Sequence, residues 1–402
     1  VTLTARTEPG DPADELPPPG LDAVVFSSPR RTLWATGEAM RIDLPAPWPD
    51  HVATVAKVLE SIDHDGPTAP GRGPVAFGAL PYDRRAPATF VVPVRLHGRT
   101  SDGDRWTTEL AGPGVPTGEL GADDVGAPRP PATVVVEGGD AGAWVHSVTE
   151  AVRRIREGEL TKVVLAREIT VTGDDAFDAS TVLRRMRAAA PASLAYSVDG
   201  FVGATPELLV SRIGDVVRAH PMAGTLPRTG DPDADARRAG ELLGSHKMRV
   251  EHQITIDMVH DTLLPWCSYL DAEPEPSVVA AGPVQHLASL VEGRLSQPEP
   301  SVLELVAALH PTPAVGGWPR AEALALQAEL EGTDRGRYAG PVGWVDASGN
   351  GVFGVGIRGV QLDGTRARLF AGVGVVEESD AEAELEETRA KAQAVLSALT
   401  RV

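Results

Sequence analysis

Four carboxylates and one lysine stand where their chemistry could be put to use. Glu384 and Glu387 lie three apart in the acidic segment Ala381 to Leu399. Leu385, Ala392, Leu396 and Leu399 recur there at helical spacing, so the two carboxylates point the same way from one helix. Acids also gather in the first turns of helices because they complement the macrodipole, and that reading stands beside a functional one. Upstream, Val250, Ile254 and Met258 form an apolar stripe with Glu251 on its edge. A partly buried carboxylate there needs an Arg partner, a proton or a metal. Glu251, Glu384 and Glu387 together make an oxygen-only site for a hard cation such as Mg²⁺ a coherent expectation. The ten histidines show no HExxH or comparable ligand spacing, which argues against zinc.

Glu207 sits in Gly203-Ala-Thr-Pro-Glu-Leu-Leu-Val210, after a proline that interrupts a strand and among apolar neighbours. Desolvation would raise its pKa and suit it to general-acid work; the alternative is a strand-edge carboxylate facing water. Lys162 opens an apolar strand, where partial burial would lower its pKa towards that of a usable base, unless its stem simply carries the charge to solvent. Lysine is scarce in this chain. Of 37 basic residues only Lys57, Lys162, Lys247 and Lys391 are lysines, which weakly marks those four as retained for a reason.

The elements that must position these groups can be read from periodicity. Residues 1–20, rich in Pro, Asp and Glu, read as a loose arm. Val24–Phe26 and Thr32–Trp34 read as strands, Trp48–Ile62 as a helix, and Gly73–Gly78 and Ala88–Arg95 as strands, the latter held near an edge by Pro93. The stretch 111–133, crowded with Gly, Pro and Asp, reads as a linker and subdomain boundary. Beyond it come a helix over Ala141–Arg156 with its arginines on a solvated face, a strand over Thr161–Ile169, a helix over Ala179–Ala190, and three strands between Leu194 and Ser211. A long helix spans Asp235–Leu264 with a break at Gly244, and shorter helices cover Val302–Leu309 and Arg320–Leu330. The last third is a strand meander that includes Arg368–Val376, where Gly372 and Gly374 leave room for a ligand or another backbone. Gly349-Asn-Gly351-Val-Phe-Gly354 matches a dinucleotide-binding pattern but is followed by a β-type segment, so a hairpin turn is the better reading. Strands mixed with helices, without a steady βαβ rhythm, predict an α+β fold.

The composition narrows the partners. The chain has 402 residues and a net charge of −19 with no compensating basic tract, which argues against nucleic acid and anionic membrane surfaces. A small anionic substrate would need a local positive centre. Cys267 is the only cysteine, so an intrachain disulfide and Cys-based metal sites are out. The start shows no signal-peptide pattern and no apolar run is long enough to span a bilayer, so a cytoplasmic protein is expected.

Taken in order, Lys162-Val-Val-Leu-Ala-Arg, Gly203-Ala-Thr-Pro-Glu-Leu-Leu, Pro221-Met-Ala-Gly-Thr225, Arg249-Val-Glu-His252, His286-Leu, His310-Pro-Thr-Pro-Ala-Val-Gly-Gly317, Gly340-Pro-Val-Gly-Trp344, Ile357-Arg358, Phe370-Ala-Gly-Val-Gly374 and Glu384-Leu-Glu-Glu-Thr388 resemble the chorismate-utilising enzymes. The resemblance covers about residues 135–402 and is greatest to isochorismate synthase. It implies two large, mainly antiparallel sheets packed together with helices outside, residues 1–134 forming an N-terminal subdomain of the same fold and 135–402 the catalytic core. It also implies roles. Lys162 matches the base that activates water for attack at C2 of chorismate, and Glu207 the acid that protonates the departing C4 hydroxyl. Glu251 and Glu387, with Glu384 behind them, match the ligands of Mg²⁺. The ring carboxylate would lie on the metal and the backbone at Gly224 and Thr225, the enolpyruvyl carboxylate on Arg358, Tyr338 and Gly372, and His286 would face the ring. Mg²⁺, Arg358 and oriented N–H groups would thus let an acidic protein hold a dianion.

Branch assignment rests on few positions. Ammonia-using relatives generally carry Gln at the position of Lys162, and tend to have Thr at that of Ala314 and Lys at that of Arg320. Salicylate synthases share the lysine but usually have that Thr. The reading is therefore a Mg²⁺-dependent isomerase making isochorismate for siderophore, salicylate or menaquinone synthesis. The alternatives are salicylate formation, amination, or a silent member that only binds. Chorismate is the expected partner of a monomer, with neither nucleic acid nor membrane. One departure stands out: three residues before the position of Glu251, relatives usually carry Asp or Glu where this chain has Met248.

Overall fold

The computed structural model describes residues 3–10, 16–17, 23–116, 131–282 and 284–400. At its centre two long strands, Arg31–Leu44 and Ala88–Thr100, pair antiparallel along nearly their whole length. From them the pairing runs outward in two wings. One proceeds through Val24–Ser27, Leu194–Val198, Phe201–Thr205, Gly359–Asp363 and Arg366–Val375 to Lys162–Gly173. The other proceeds through Val75–Ala79, Pro341–Asp346, Gly351–Val355, Leu208–Ile213, Val216–His220 and Val291–Leu295 to Cys267–Ala272. Both wings alternate side chains between two faces, and their facing sides share one buried cluster. Phe26, Tyr196 and Phe201 of the first meet Phe77, Val342 and Trp344 of the second. A smaller sheet of Met222–Pro227, Val284–Ala288 and Ser277–Ala281 stands apart.

Helices cover the outer faces because each carries an apolar stripe that must be buried. Ala179–Ala189 and Ala381–Thr400 place Val182, Leu183, Val395 and Leu399 against Ile169, Val171 and Leu369. Val302–Leu309 and His246–Leu263 lay Leu303, Val306, Val259 and Leu263 on Val210, Val217 and Val291. Ala141–Arg156 and Arg320–Leu330 bring Val148, Val152, Ala323 and Leu326 to Val163 and Leu165. No described helix is long and apolar enough to cross a membrane.

The α+β reading holds, and several boundaries change. The first residues are not all a loose arm: Thr4–Pro9 pairs with Arg105–Ala111, turning Ala5 and Thr7 inward. That alternation is hidden in composition by the Pro and acidic residues that follow. Pro93 lies in an interior strand, opposite Glu38 at a register shift that accommodates it. The long helix breaks at Gly244 as expected but begins earlier, giving Pro232–Gly244 and His246–Leu263, the second capped by Ser245 Oγ, which accepts from Met248 N at 3.3 Å. Trp48–His51 is a 3₁₀ turn ahead of the helix Ala53–Glu60. Of the linker, residues 117–130 lie outside the described residues. Gly349 turns a hairpin between Pro341–Asp346 and Gly351–Val355, as its context predicts.

Candidate active site

Lys162 begins its strand opposite Trp318 and is 2% exposed. Its Nζ lies 2.6 Å from Glu251 Oε1, the carboxylate that the helix His246–Leu263 brings to the mouth of the same strand. What was expected for Glu251 was an Arg partner, a proton or a metal, and the fold supplies Lys162. Gly374 lies across the neighbouring strand, paired with Val164. A Cβ at Gly374 would stand 2.8 Å from Lys162 Cε and 3.1 Å from Glu251 Oε1, so only glycine leaves the ion pair its room.

Glu207 faces this pair from the other wing, 3% exposed, and lines the same cavity. Burial pushes its carboxyl up to about 8, against the opposing pull of Lys162 and a hydrogen bond from the Met222 backbone. It is therefore a protonated carboxyl at neutral pH. Near it the small sheet presents Gly224, Thr225 and His286. His286 Nδ1 lies 3.0 Å from Thr225 Oγ1 and 3.3 Å from Gly224 O, and burial together with Arg358 and Lys391 holds the ring well below its usual pKa, hence neutral. Gly224 takes φ +73°, and a Cβ there would meet Met248 Cβ at 3.3 Å and Sδ at 3.5 Å. Met248 thus packs on the backbone turn beside the pocket, one helical turn before Glu251.

Arg358, Tyr338 and Gly372 line another part of the cavity. Arg358 is held at φ 53° and is half-buried; its Nε is buried and finds no hydrogen-bond partner among the described residues. Burial lowers its pKa while Tyr338 and Glu387 oppose the shift. A half-buried cation with so little compensation calls for an anionic guest. Tyr338 stacks on Phe370, ring centroids 5.3 Å apart, and bonds to the Gly372 backbone. A Cβ on Gly372 would stand 3.0 Å from Tyr338 Oη. Ala314 also lines the cavity.

Lys391, which sequence reasoning left out of the site, also lines the cavity and donates to Gly372 O at 3.0 Å. Its Nζ lies 2.6 Å from Glu387 Oε1. Two signals pointed to it: the scarcity of lysine and the i, i+4 spacing from Glu387. Arg335, also missed, carried no such signal. Glu387 touches the pocket through Lys391, and neither it nor Glu384 lines the cavity itself. Among the described residues no three His, Cys, Asp or Glu side chains form a ready-made metal cage. The donors nevertheless suit Mg²⁺, which is held by one or two carboxylates with water and substrate oxygens rather than by an all-protein cage. Glu251 and Glu387 come from separate helices, each neutralised here by a lysine at 2.6 Å.

A model of the family described as chorismate binding enzyme matches residues 124–400. The chain belongs to the chorismate-binding enzymes. This chorismate-binding enzyme is 34% identical over 389 residues to isochorismate synthase DhbC of Bacillus subtilis, covering 94% of this chain and 93% of the relative. It is 41% identical over 343 residues to a Mycobacterium tuberculosis protein that carries the isochorismate synthase name MenF, covering 82% and 87%. The crystal structure of DhbC from Bacillus anthracis superposes with a TM-score of 0.80 at 34% identity, over 94% of this chain and 96% of that one. Within the family the enzyme is most like the isochorismate synthases.

Proposed function

We propose that the chain converts chorismate to isochorismate, water adding at C2 as the C4 hydroxyl departs. The observation that carries this reading is the pairing, in one buried pocket, of Lys162 with a Glu207 whose carboxyl keeps its proton to about pH 8. Lys162 acts as the free amine, once the ammonium paired with Glu251 has released a proton to solvent; it takes a proton from the attacking water and afterwards returns it to Glu207. Glu207 gives one to the leaving hydroxyl, so a molecule of water enters and a molecule of water leaves. Arg358, Tyr338 and the Gly372 backbone would face the enolpyruvyl carboxylate, and the Gly224–Thr225 turn the ring carboxylate, with neutral His286 against the ring. Mg²⁺ on Glu251 and Glu387, with Glu384 behind, would supply positive charge to the ring carboxylate. Product analysis after incubation with chorismate and Mg²⁺, with and without ammonium, tests the reading. Isochorismate without released pyruvate is expected in both. Salicylate with pyruvate, an aminated product, or unchanged chorismate would each overturn it.

Two expectations concern the metal. Glu251→Ala and Glu387→Ala should each raise the Mg²⁺ concentration for half-maximal activity and weaken Mg²⁺ binding by calorimetry. Titrations that overlay the wild type in both variants would relocate the site. Met248→Asp puts a carboxylate one turn from Glu251 where the thioether now stands, and a hard cation's water shell favours the oxygen. We expect Mg²⁺ affinity to rise on the order of 10-fold, the span of second-shell effects. An unchanged calorimetric titration would show that this position does not reach the metal.

A further inference from the structure

The strand that carries Lys162 loses its neighbour on one side almost at once, because pairing with Gly317–Trp318 covers only Val163 and Lys162. Beyond that point the backbone still needs partners. Side chains take the place of a strand. Arg335 donates to Val164 O at 2.7 Å and to Val315 O at 3.0 Å, and Gln327 donates to Val164 O at 2.7 Å and Gly316 O at 2.6 Å. Glu331 accepts from Ala166 N at 2.8 Å and from Arg335 Nε at 2.9 Å. All three side chains are buried. Beneath them lies Tyr82, brought from the N-terminal region by the bond from its N–H to Gly336 O. Its ring sits 4.4 Å from the Arg335 guanidinium and its hydroxyl donates to Gln327 Oε1 at 2.8 Å.

We propose that Arg335, braced by Tyr82, is a positioning residue for the reaction. By spanning Val164 O and Val315 O it sets the separation between the strand bearing Lys162 and the loop bearing Ala314, both of which line the pocket. This rests on Lys162 being the base. Only a planar fork satisfies two carbonyls and a carboxylate at once, and a lysine keeps the charge but not the span. It also makes residues before 134 part of the support of the site.

The test compares wild type, Arg335→Lys and Tyr82→Leu in the full chain by kcat and KM for chorismate, and by amide hydrogen exchange at 164–166 and 315–317. Displacement of the base by a fraction of an ångström should lower kcat by roughly 10- to 100-fold with KM nearly unchanged. Exchange at those amides should quicken in both variants while the rest of the sheet stays protected. Unchanged kcat, a rise in KM alone, or a fall in kcat without faster local exchange would overturn the proposal. Should Arg335→Lys fail to fold, Tyr82→Leu carries the same comparison. If the wild type leaves chorismate unchanged, the functional reading fails, and the exchange data still decide whether Arg335 holds this edge.

Discussion

Lys162→Gln should abolish water addition, a fall of about 10³-fold or more in kcat, within the span of general-base effects. The amide keeps a donor for Glu251 and nearly the side chain's size, so the pocket should still form and chorismate should still bind, as equilibrium dialysis or calorimetry would show. The ion pair explains why this substitution is preferable to truncation. Truncation would leave the Glu251 carboxylate without a counter-charge, a donor or a filled volume, at a cost of about 3–5 kcal/mol; glutamine also removes the charge but keeps the donor and the volume, so lost chemistry is less confused with lost fold. Wild-type turnover in Lys162→Gln would remove the lysine from the mechanism.

Glu207→Gln should lose turnover to a comparable degree, because an amide cannot protonate the leaving hydroxyl. The pH dependence gives a sharper reading. A carboxyl pushed up to about 8 is protonated at neutral pH and loses its proton as pH rises through that value, so kcat/KM should fall about tenfold per unit on the alkaline side. The same shift fixes a sign for stability. The folded chain holds this proton more tightly than the ordinary carboxyl at 4.5, so the contribution is complete below that pH and disappears as pH rises through about 8. Thermal midpoints of wild type and Glu207→Gln should therefore diverge, with the wild type falling faster between about pH 4.5 and 8 and the two running parallel above that. A flat alkaline profile in the wild type would reassign the acid.

Much of this site was legible before folding because its chemistry depends on residue type in a local setting. An apolar strand around Lys162, a proline-broken strand before Glu207 and two glycines at 372 and 374 each report a local environment, and each lies at the cavity or shapes it. The helices Val302–Leu309 and Arg320–Leu330 were legible to the residue, since capping and periodicity are local too. Longer-range facts were not. Periodicity placed Glu251 on the edge of a stripe that the fold does not bury as expected, since Val250 is 45% exposed and Ile254 half-buried while Thr255, Ile256 and Val259 turn inward, and it could not say that the charge awaiting Glu251 was Lys162, some ninety residues earlier in the chain. Lys391 was visible only as a scarce residue, and its contact with Gly372 O required the helix to dock on the strand. Thr4–Pro9 read as an arm because a strand's partner, here Arg105–Ala111, leaves no mark on the strand's own sequence.

By itself the sequence determined the chemistry available: one scarce lysine ahead of an apolar strand, a carboxyl set for desolvation, acids spaced along helices, and the order of motifs that names the family. Only the tertiary structure decided which charges neutralise one another and which are left over. Glu251 with Lys162 and Glu387 with Lys391 form pairs, whereas half-buried Arg358 keeps a buried Nε without a hydrogen-bond partner among the described residues. The physical reason is that burial and pairing are properties of the packed wings. A side chain's desolvation and its counter-charge are set by neighbours from distant strands, and those distances do not exist until the two wings close on each other.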